Sequence, residues 1–238
     1  MRRQTVDPAT RAKVIDRFGN KCWLNMPECT GRGEEDDHIV PFSHGGRDSV
    51  ANLRRACKHC NSSRQDRVLS GYGATLHAVI GPPCADLMGE AEDAVQRGAI
   101  VVNHADIMNA LCPTGLYPSP GEAVRSAAAM AWAAAYRRLA TAREPVDVWF
   151  IRSLPSSPKH PRLLDEWIAL DYDVHVVDPG AGYVFEHVRT EAERQVARAW
   201  YSLHLTQQVV DARLHARRAR LVELGLRRDD ATVQRIEW

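Results

Sequence analysis

The chain has 238 residues, of which 45% are hydrophobic and 26% are charged, and its formal net charge is +1. A chain of this length can form one large domain or two small ones. No stretch approaches the roughly 20 unbroken apolar residues that a membrane helix needs, and the first residues lack the apolar run of a signal peptide. We therefore expect a cytoplasmic protein with no membrane partner, whose six cysteines are thiols or metal ligands rather than disulfides.

The small net charge hides a segregation along the chain. Basic residues outnumber acidic ones in residues 1–70 and 189–238, whereas acidic residues prevail in residues 71–188. This distribution favours contact of a polyanion with the two ends of the chain, although ordinary surface variation could produce the same difference.

The first predicted element is a short helix over residues 8–18. Asp7 is a suitable N-cap, Pro8 occupies the first helical position, and Gly19 ends the helix. The elements expected next are two short strands within 22–45 (the second over about 34–40), a turn at Gly45-Gly46, and a helix from about Cys57 to Leu69. A linker at 71–73 then divides the chain into domains 1–70 and 71–238.

After the linker, short apolar runs alternate with helical segments. The runs expected to form strands are 76–80, 99–102, 147–151 and 174–177, and the helices include 121–142 and 160–170. This alternation predicts an α/β domain with a mainly parallel sheet covered on both faces. A long C-terminal helix is expected over 190–224; it could pair with a second copy or another protein, or its arginines could bind DNA.

Four cysteines lie within 39 residues near the N-terminus. Cys57 and Cys60 have the Cys-x2-Cys spacing that lets two thiolates reach one zinc ion, and Cys22 and Cys29 could supply the other two ligands. The sequence therefore predicts a structural Zn²⁺ site in a module too small to fold on its own core. His59, inside the Cys-x2-Cys turn, is expected to face solvent.

Polar residues between the cysteine pairs suggest a second, catalytic metal site. Asp37 offers a hard oxygen ligand suited to Mg²⁺ or Mn²⁺, and the neighbouring His38 can deprotonate water near neutral pH. Asn61 can present a second oxygen to the same ion. The amide of Asn52 can bridge backbone groups and hold the intervening loop, in which His44 is expected to be a loop residue.

In this order, these residues resemble the HNH endonuclease motif in its cysteine-flanked form. The matching parts are Asp37-His38-Ile39-Val40-Pro41, Gly45-Gly46, Asn52-Leu53 and Cys57-x2-Cys60-Asn61. The resemblance covers about residues 12–68 and implies a ββα-metal module that hydrolyses phosphodiester bonds of DNA with one divalent ion. It implies that His38 is the general base, that Asp37 and Asn61 hold the ion, and that Asn52 is an orienting residue. The last position of the motif is Asn61, where the name of the motif has a histidine. The resemblance therefore does not fix the affinity for the metal ion, although the reaction class is unaffected.

Five basic residues surround the motif and are expected to contact DNA phosphates. They are Arg54, Arg55, Lys58, Arg64 and Arg67. A solvated helix face is the alternative for about half of them.

The second part of the chain resembles a degenerate P-loop kinase. Its first strand is followed by Gly81-Pro82-Pro83-Cys84, but Ala85-Asp86-Leu87-Met88 stands where a phosphate-binding loop needs lysine and serine or threonine. We therefore expect a docking or scaffold domain; an unrelated α/β domain is the alternative. His104 and Asp106 follow the second strand, where functional groups often lie, although a structural role is favoured.

Two other functions remain open at this point. The first is a zinc-stabilised nucleic-acid-binding module without catalysis. It would explain the cysteines, but it would not explain why Asp37, His38 and Asn61 occur together. A nuclease regulated by nucleotide through the C-terminal domain is disfavoured by the missing lysine. Phage packaging, intron mobility and restriction are all open as biological settings.

Overall fold

The computed structural model describes residues 5–112, 121–154 and 161–228. Its N-terminal part contains two α-helices, one short 3-10 helix at Phe42–His44 and a two-stranded antiparallel sheet: α1 Pro8–Phe18, β1 Glu35–His38, β2 Leu53–Ala56 and α2 Lys58–Arg64. Helix α1 has the predicted bounds, because Asp7 accepts the Thr10 backbone N–H at 2.9 Å and Gly19 ends the helix at a φ of +79°.

Strand β1 is acidic, and its pairing with β2 explains how such a sequence forms a strand. Asp36 lies opposite Arg55 and Asp37 lies opposite Arg54 in the antiparallel register. Arg55 also forms an ion pair with Asp36, so opposite charges face each other across the sheet. Helix α2 then packs on this sheet and completes a ββα arrangement.

The C-terminal part is built around a four-stranded parallel sheet. Its elements are β3 Thr75–Gly81, α3 Glu92–Gln96, β4 Ile100–Asn103, α4 His104–Leu111, α5 Glu122–Leu139, β5 Asp147–Ser153, α6 Pro161–Ala169, β6 Asp173–Val176, α7 Ala181–His187, α8 Glu191–Ser202 and α9 Gln207–Glu223. The strand order β4-β5-β3-β6 places the first strand of this part in the interior, as in doubly wound α/β sheets. The predicted parallel sheet is thus confirmed. Within the described residues, every helix is too short or too polar to cross a membrane.

The long helix predicted over 190–224 is wrong. The segment forms α8 and α9, separated by Leu203–Thr206, where His204 has a positive φ of +50° and the Thr206 side chain accepts the Val209 backbone N–H at 3.2 Å. Threonine at this position caps a new helix rather than continuing the old one.

Other predicted bounds also change. Within 22–45 the described strand is β1 alone, because its partner β2 comes after the glycine turn. Helix α2 ends at Arg64 rather than Leu69, since Gln65 adopts a φ of +53°. The helix predicted to begin at position 160 begins at Pro161; position 160 lies outside the described residues.

The two parts of the chain share one apolar core. Trp23, Leu24 and Ile39 from the N-terminal part belong to the same buried cluster as Trp167 and Leu221 from the C-terminal part. Backbone hydrogen bonds also connect the two parts of the chain. For example, the Val68 N–H donates to the carbonyl of Ala140 at 2.9 Å. The boundary near residue 70 therefore does not separate two independent cores.

Candidate active site and metal centre

The four N-terminal cysteines converge on one point. The Sγ atoms of Cys22, Cys29, Cys57 and Cys60 all lie within 4.8 Å of one another. Cys29 Sγ is 3.9 Å from Cys57 Sγ, close to the roughly 3.8 Å expected between two thiolates bound to one zinc ion at about 2.3 Å. The Cys60 thiol lowers the pKa of Cys22 to about 4 by hydrogen bonding, and the same contact raises the pKa of Cys60. This cluster could hold a structural zinc ion.

His38 is the last residue of β1, and its side chain is 6% exposed. Its Nε2 lies 2.7 Å from Oδ1 of Asp48, whereas its Nδ1 makes no hydrogen bond within the described ranges of the chain. An ionised carboxylate only accepts hydrogen bonds, so the neutral ring carries its hydrogen on Nε2. Nδ1 then carries a lone pair that no hydrogen bond from the described residues uses, and this atom is buried.

A cleft of about 330 Å³ opens beside His38, along β1. Glu35 and Asn61 meet in it, because the Asn61 Nδ2 amide donates to Glu35 Oε2 at 2.6 Å. The remaining lining residues are Thr5, Val6, Arg11, Glu34, Asp36, His38 and Arg55.

The cleft contains oxygen ligands of the kind that hard divalent cations bind. Its lining contains three carboxylates, from Glu34, Glu35 and Asp36, and two guanidinium groups, from Arg11 and Arg55. With all five groups charged, the excess negative charge would repel a phosphodiester unless a cation were bound. Carboxylate and amide oxygens are the ligands that Mg²⁺ and Mn²⁺ prefer.

Asp37 lies elsewhere, which corrects the expectation that it shares an ion with Asn61. Arg64 Nη1 donates to both carboxylate oxygens of Asp37, at 2.8 and 2.9 Å, and the Trp23 indole N–H donates to Oδ2 at 2.8 Å. Arg64 and Trp23 therefore hold the Asp37 carboxylate inside the protein. Asp37 is not among the residues that line the cleft.

Asn52 and Gly46 hold the loop between β1 and β2. The Asn52 side chain accepts from the Val40 N–H at 2.9 Å and donates to the carbonyls of Val40 and Arg47 at 3.1 and 3.2 Å. At Gly46, a Cβ would lie 1.8 Å from the Val40 carbonyl oxygen, so only glycine fits. The loop they hold carries Asp48, the residue that contacts His38.

Four of the five predicted phosphate contacts are occupied by contacts within the protein, which corrects that expectation. Arg54 donates to the Leu224 carbonyl at 3.0 Å, and Arg67 pairs with Glu166 at 2.7 Å. Arg55 pairs with Asp36, and Arg64 pairs with Asp37. Because arginine buries its guanidinium only when its donors are satisfied, these residues hold the fold together. Lys58 is exposed.

The other histidines singled out in the sequence lie outside the cleft. His59 is 40% exposed and stands 3.9 Å from Glu28, away from the cleft lining. Burial, with Arg143 nearby, lowers the pKa of His44. His104 and the exposed Asp106 belong to α4, and burial lowers the pKa of His104 as well.

Sequence reasoning missed two residues of the cleft region, Glu35 and Asp48. Glu35 belongs to the run Glu34-Glu35-Asp36-Asp37, in which composition does not distinguish one carboxylate from another. Asp48 follows the glycine turn by two residues, and only the three-dimensional structure brings it to His38.

Comparison with known protein families gives one result for this region. Residues 27–67 match the HNH endonuclease family model, which spans β1, β2, α2 and three of the four clustered cysteines. No curated protein matches the chain. The matched region thus supports nuclease activity, a nucleic-acid substrate and metal binding for this part of the chain.

Proposed function

We propose that this chain is a metal-dependent DNA endonuclease that hydrolyses phosphodiester bonds with a single divalent ion, Mg²⁺ or Mn²⁺. The arrangement of His38 carries the proposal. One ring nitrogen is held by Asp48. The other is buried and has no hydrogen bond from the described residues, in a side chain that lines an acidic cleft. The HNH endonuclease match of residues 27–67 supports the same reaction class.

In the proposed reaction, His38 Nδ1 takes a proton from a water molecule as the water oxygen bonds to phosphorus. The P–O3′ bond breaks and the 3′ oxygen takes up a proton from solvent, leaving a 3′-hydroxyl and a 5′-phosphate. Asp48 acts as a positioning residue, because its carboxylate fixes the tautomer of the ring and stabilises the imidazolium that forms. A bound divalent ion would neutralise charge on the phosphate and on the leaving oxygen.

We propose Glu35 and Asn61 as the side chains that hold this ion. Both line the cleft beside His38, and their side chains already meet at 2.6 Å. An amide can rotate to offer its oxygen to a cation, so the present contact between Asn61 and Glu35 does not prevent joint binding. Asp37, which the sequence favoured, has both oxygens engaged by Arg64.

Contacts with DNA phosphates are assigned to cations at the surface of the cleft region. Lys58 is exposed at the start of α2. The Arg11 side chain lines the cleft with 37% exposure, and its Nε pairs with Oδ2 of Asp36 at 2.7 Å. These two residues replace the buried arginines as the proposed phosphate contacts. Since one module supplies one cleft, we expect nicking of one strand per binding event.

The parallel-sheet part is proposed to act as a scaffold for the nuclease module. The order β4-β5-β3-β6 is compatible with descent from a P-loop kinase, and the loop after β3 lacks the lysine that nucleotide binding requires. The shared apolar core supports the scaffold role, because it buries one side of the nuclease module.

The test is cleavage of supercoiled plasmid by the full chain with Mg²⁺ or Mn²⁺. Loss of a general base slows the reaction roughly 100-fold or more, so His38→Ala should leave the plasmid supercoiled, as should EDTA. His59→Ala is the matched control, because His59 lies near the zinc cluster but outside the cleft lining. It should cut at the wild-type rate.

Three results would count against the proposal. If His38→Ala cuts as fast as wild type, His38 is not the base. If EDTA has no effect on zinc-loaded protein, the reaction needs no cleft cation. If the wild type binds DNA but never cuts a broad panel of sequences, the chain is a zinc-stabilised binding module.

A further inference from the structure

A second group of metal-ligating side chains lies far along the chain from the zinc cluster, on the parallel sheet. His77 of β3 stands opposite Asp173 of β6, and His175 lies two residues further along β6 on the same face. One ligand atom from each of these three residues lies within 4.8 Å of the other two. The group lies near the amino ends of the strands. It is therefore at the opposite end of the sheet from the segment that follows β3.

Two imidazole nitrogens in this group converge on one carboxylate oxygen. His77 Nδ1 lies 3.8 Å and His175 Nε2 lies 3.9 Å from Oδ2 of Asp173. Neither nitrogen makes a hydrogen bond within the part of the chain that the structure describes, although both are shielded from solvent. These distances are too long for hydrogen bonds. They are a few tenths of an ångström longer than the roughly 3.3–3.6 Å between ligand atoms around a tetrahedral zinc ion.

The opposite nitrogen of each ring lies close to a second carboxylate. Asp147 Oδ1 lies 2.9 Å from His77 Nε2, and Glu90 Oε1 lies 2.9 Å from His175 Nδ1. Metal-bound histidines commonly direct their other nitrogen to a carboxylate in this way, which fixes the tautomer and raises the basicity of the ligand. The His175 ring therefore directs an unprotonated Nε2 at Oδ2 of Asp173, and His77 Nδ1 faces the same oxygen.

The surroundings also hold the ligand geometry in place. The Trp149 ring stacks on His77 at a centroid distance of 4.4 Å and an interplanar angle of 9°. Arg218 Nη2 lies 3.3 Å from Oδ1 of Asp173, which leaves Oδ2 for the histidines.

We propose that His77, Asp173 and His175 bind a divalent transition-metal ion such as Zn²⁺, at a site separate from the cysteine cluster and from the His38 cleft. Two imidazoles and one carboxylate suit zinc better than magnesium, which prefers oxygen ligands. Three protein ligands leave a coordination position for water, and the Asp173 side chain is 50% exposed, so small ligands can reach it.

The test counts the metal ions bound by the full chain. Native mass spectrometry after zinc loading should find two zinc ions in the wild type and one in His175→Ala and Asp173→Asn. His187→Ala is the matched control, because His187 is an exposed histidine whose Nδ1 lies 2.8 Å from the Tyr183 carbonyl oxygen. It should keep two.

Cobalt substitution distinguishes loss of this site from unfolding. Thiolate-bound Co²⁺ gives intense charge-transfer absorption, whereas a His₂Asp site adds only weak visible bands. The His175 and Asp173 variants should keep the charge-transfer absorption and lose the weaker component. A wild-type chain that binds one zinc ion, with only thiolate absorption after cobalt loading, overturns the proposal whatever the variants do.

Discussion

Arg64 Nη1 lies 2.8 Å from Oδ1 of Asp37, and the two side chains are 0% and 5% exposed. Arg64 also donates to the carbonyls of His38 and Ile39 at 2.8 and 2.6 Å. One guanidinium thus joins α2 to the end of β1, next to the proposed base. Two residues earlier on the same face of β1, Glu35 meets Asn61 of α2. Asp37 therefore anchors the sheet to the helix, while Glu35 faces the cleft.

Substitutions at Asp37 and Glu35 should separate these two roles. Asp37→Asn leaves the Arg64 charge buried without its counter-ion, and we expect a loss of roughly 3 kcal/mol in the free energy of unfolding. For a chain of this size, that loss lowers Tm by about 6–12 °C. Glu35→Gln should keep Tm within about 2 °C but weaken Mg²⁺-dependent cleavage about tenfold or more. Calorimetry and plasmid cleavage of both variants measure this. An Asp37→Asn variant of normal stability that needs more Mg²⁺ would instead make Asp37 the ligand.

Gly46→Ala should disturb the loop that carries Asp48. The new Cβ would meet the Val40 carbonyl oxygen at 1.8 Å and Asn52 Nδ2 at 2.8 Å, so the loop must shift. We expect cleavage to fall at least tenfold, because Asp48 no longer holds His38 in place, and stability to fall by about 1–3 kcal/mol. Gly182→Ala is the control, since its Cβ meets nothing within 4 Å. Equal activity of the two variants would show that the loop does not position the base.

Some helices and strands are determined by residues within or next to them in the chain, and the sequence predicts these elements. Helix α1 follows from the cap at Asp7 and the stop at Gly19, and β5 follows from the apolar run within 147–151. The cysteine cluster was predictable because the Cys-x2-Cys spacing at Cys57 and Cys60 is itself the geometry of a metal-binding turn.

Features that depend on register and distant packing could not be predicted in this way. The partner of Asp37 depends on which residues of α2 meet one face of β1, and nothing in the sequence gives that alignment. In the sequence, Arg54 resembles a phosphate contact. In the structure, its guanidinium donates to the carbonyl of Leu224, which is 170 residues away along the chain. The hydrophobic pattern does not predict the break between α8 and α9, because apolar residues continue through it at Leu203 and Leu205.

Loss of the cysteine cluster should unfold more than the N-terminal part. Cys22, Cys57 and Cys60 belong to the buried cluster that also contains Trp167 and Leu221. We therefore expect Cys57→Ser to abolish the thiolate-to-cobalt absorption and to lower the melting temperature of the whole chain, because structural zinc contributes directly to folding. Cys84→Ser is the control, since Cys84 is exposed and lies outside the cluster. Zinc release without any change in the melting curve would contradict this expectation.

Stability should fall in mild acid in part because of His104. Burial and the nearby Arg152 lower its pKa in the folded protein below the ordinary value of 6.5. The unfolded chain therefore binds a proton at higher pH than the folded one, and the stability present above pH 6.5 is lost as the pH falls toward the folded pKa. His104→Gln should make the decline in Tm between pH 7 and pH 5 shallower. His215→Gln, at an exposed position of α9, should leave its slope unchanged.

Arg217 should couple the N-terminal part of the chain to α9. Its side chain donates to the Trp23 carbonyl at 2.7 Å and to the Ala169 carbonyl at 3.0 Å, and burial lowers its pKa to about 10. Arg217→Ala leaves two buried carbonyls without this donor, and each such loss costs about 1–3 kcal/mol. We expect a Tm lowered by several degrees in one shared transition, with cleavage lost at the same temperature as helical structure. Arg220→Ala, which removes an exposed pair with Glu223, should change Tm by under about 2 °C. Two separate transitions in Arg217→Ala, with the parallel-sheet part melting at its wild-type temperature, would show that the two parts fold independently.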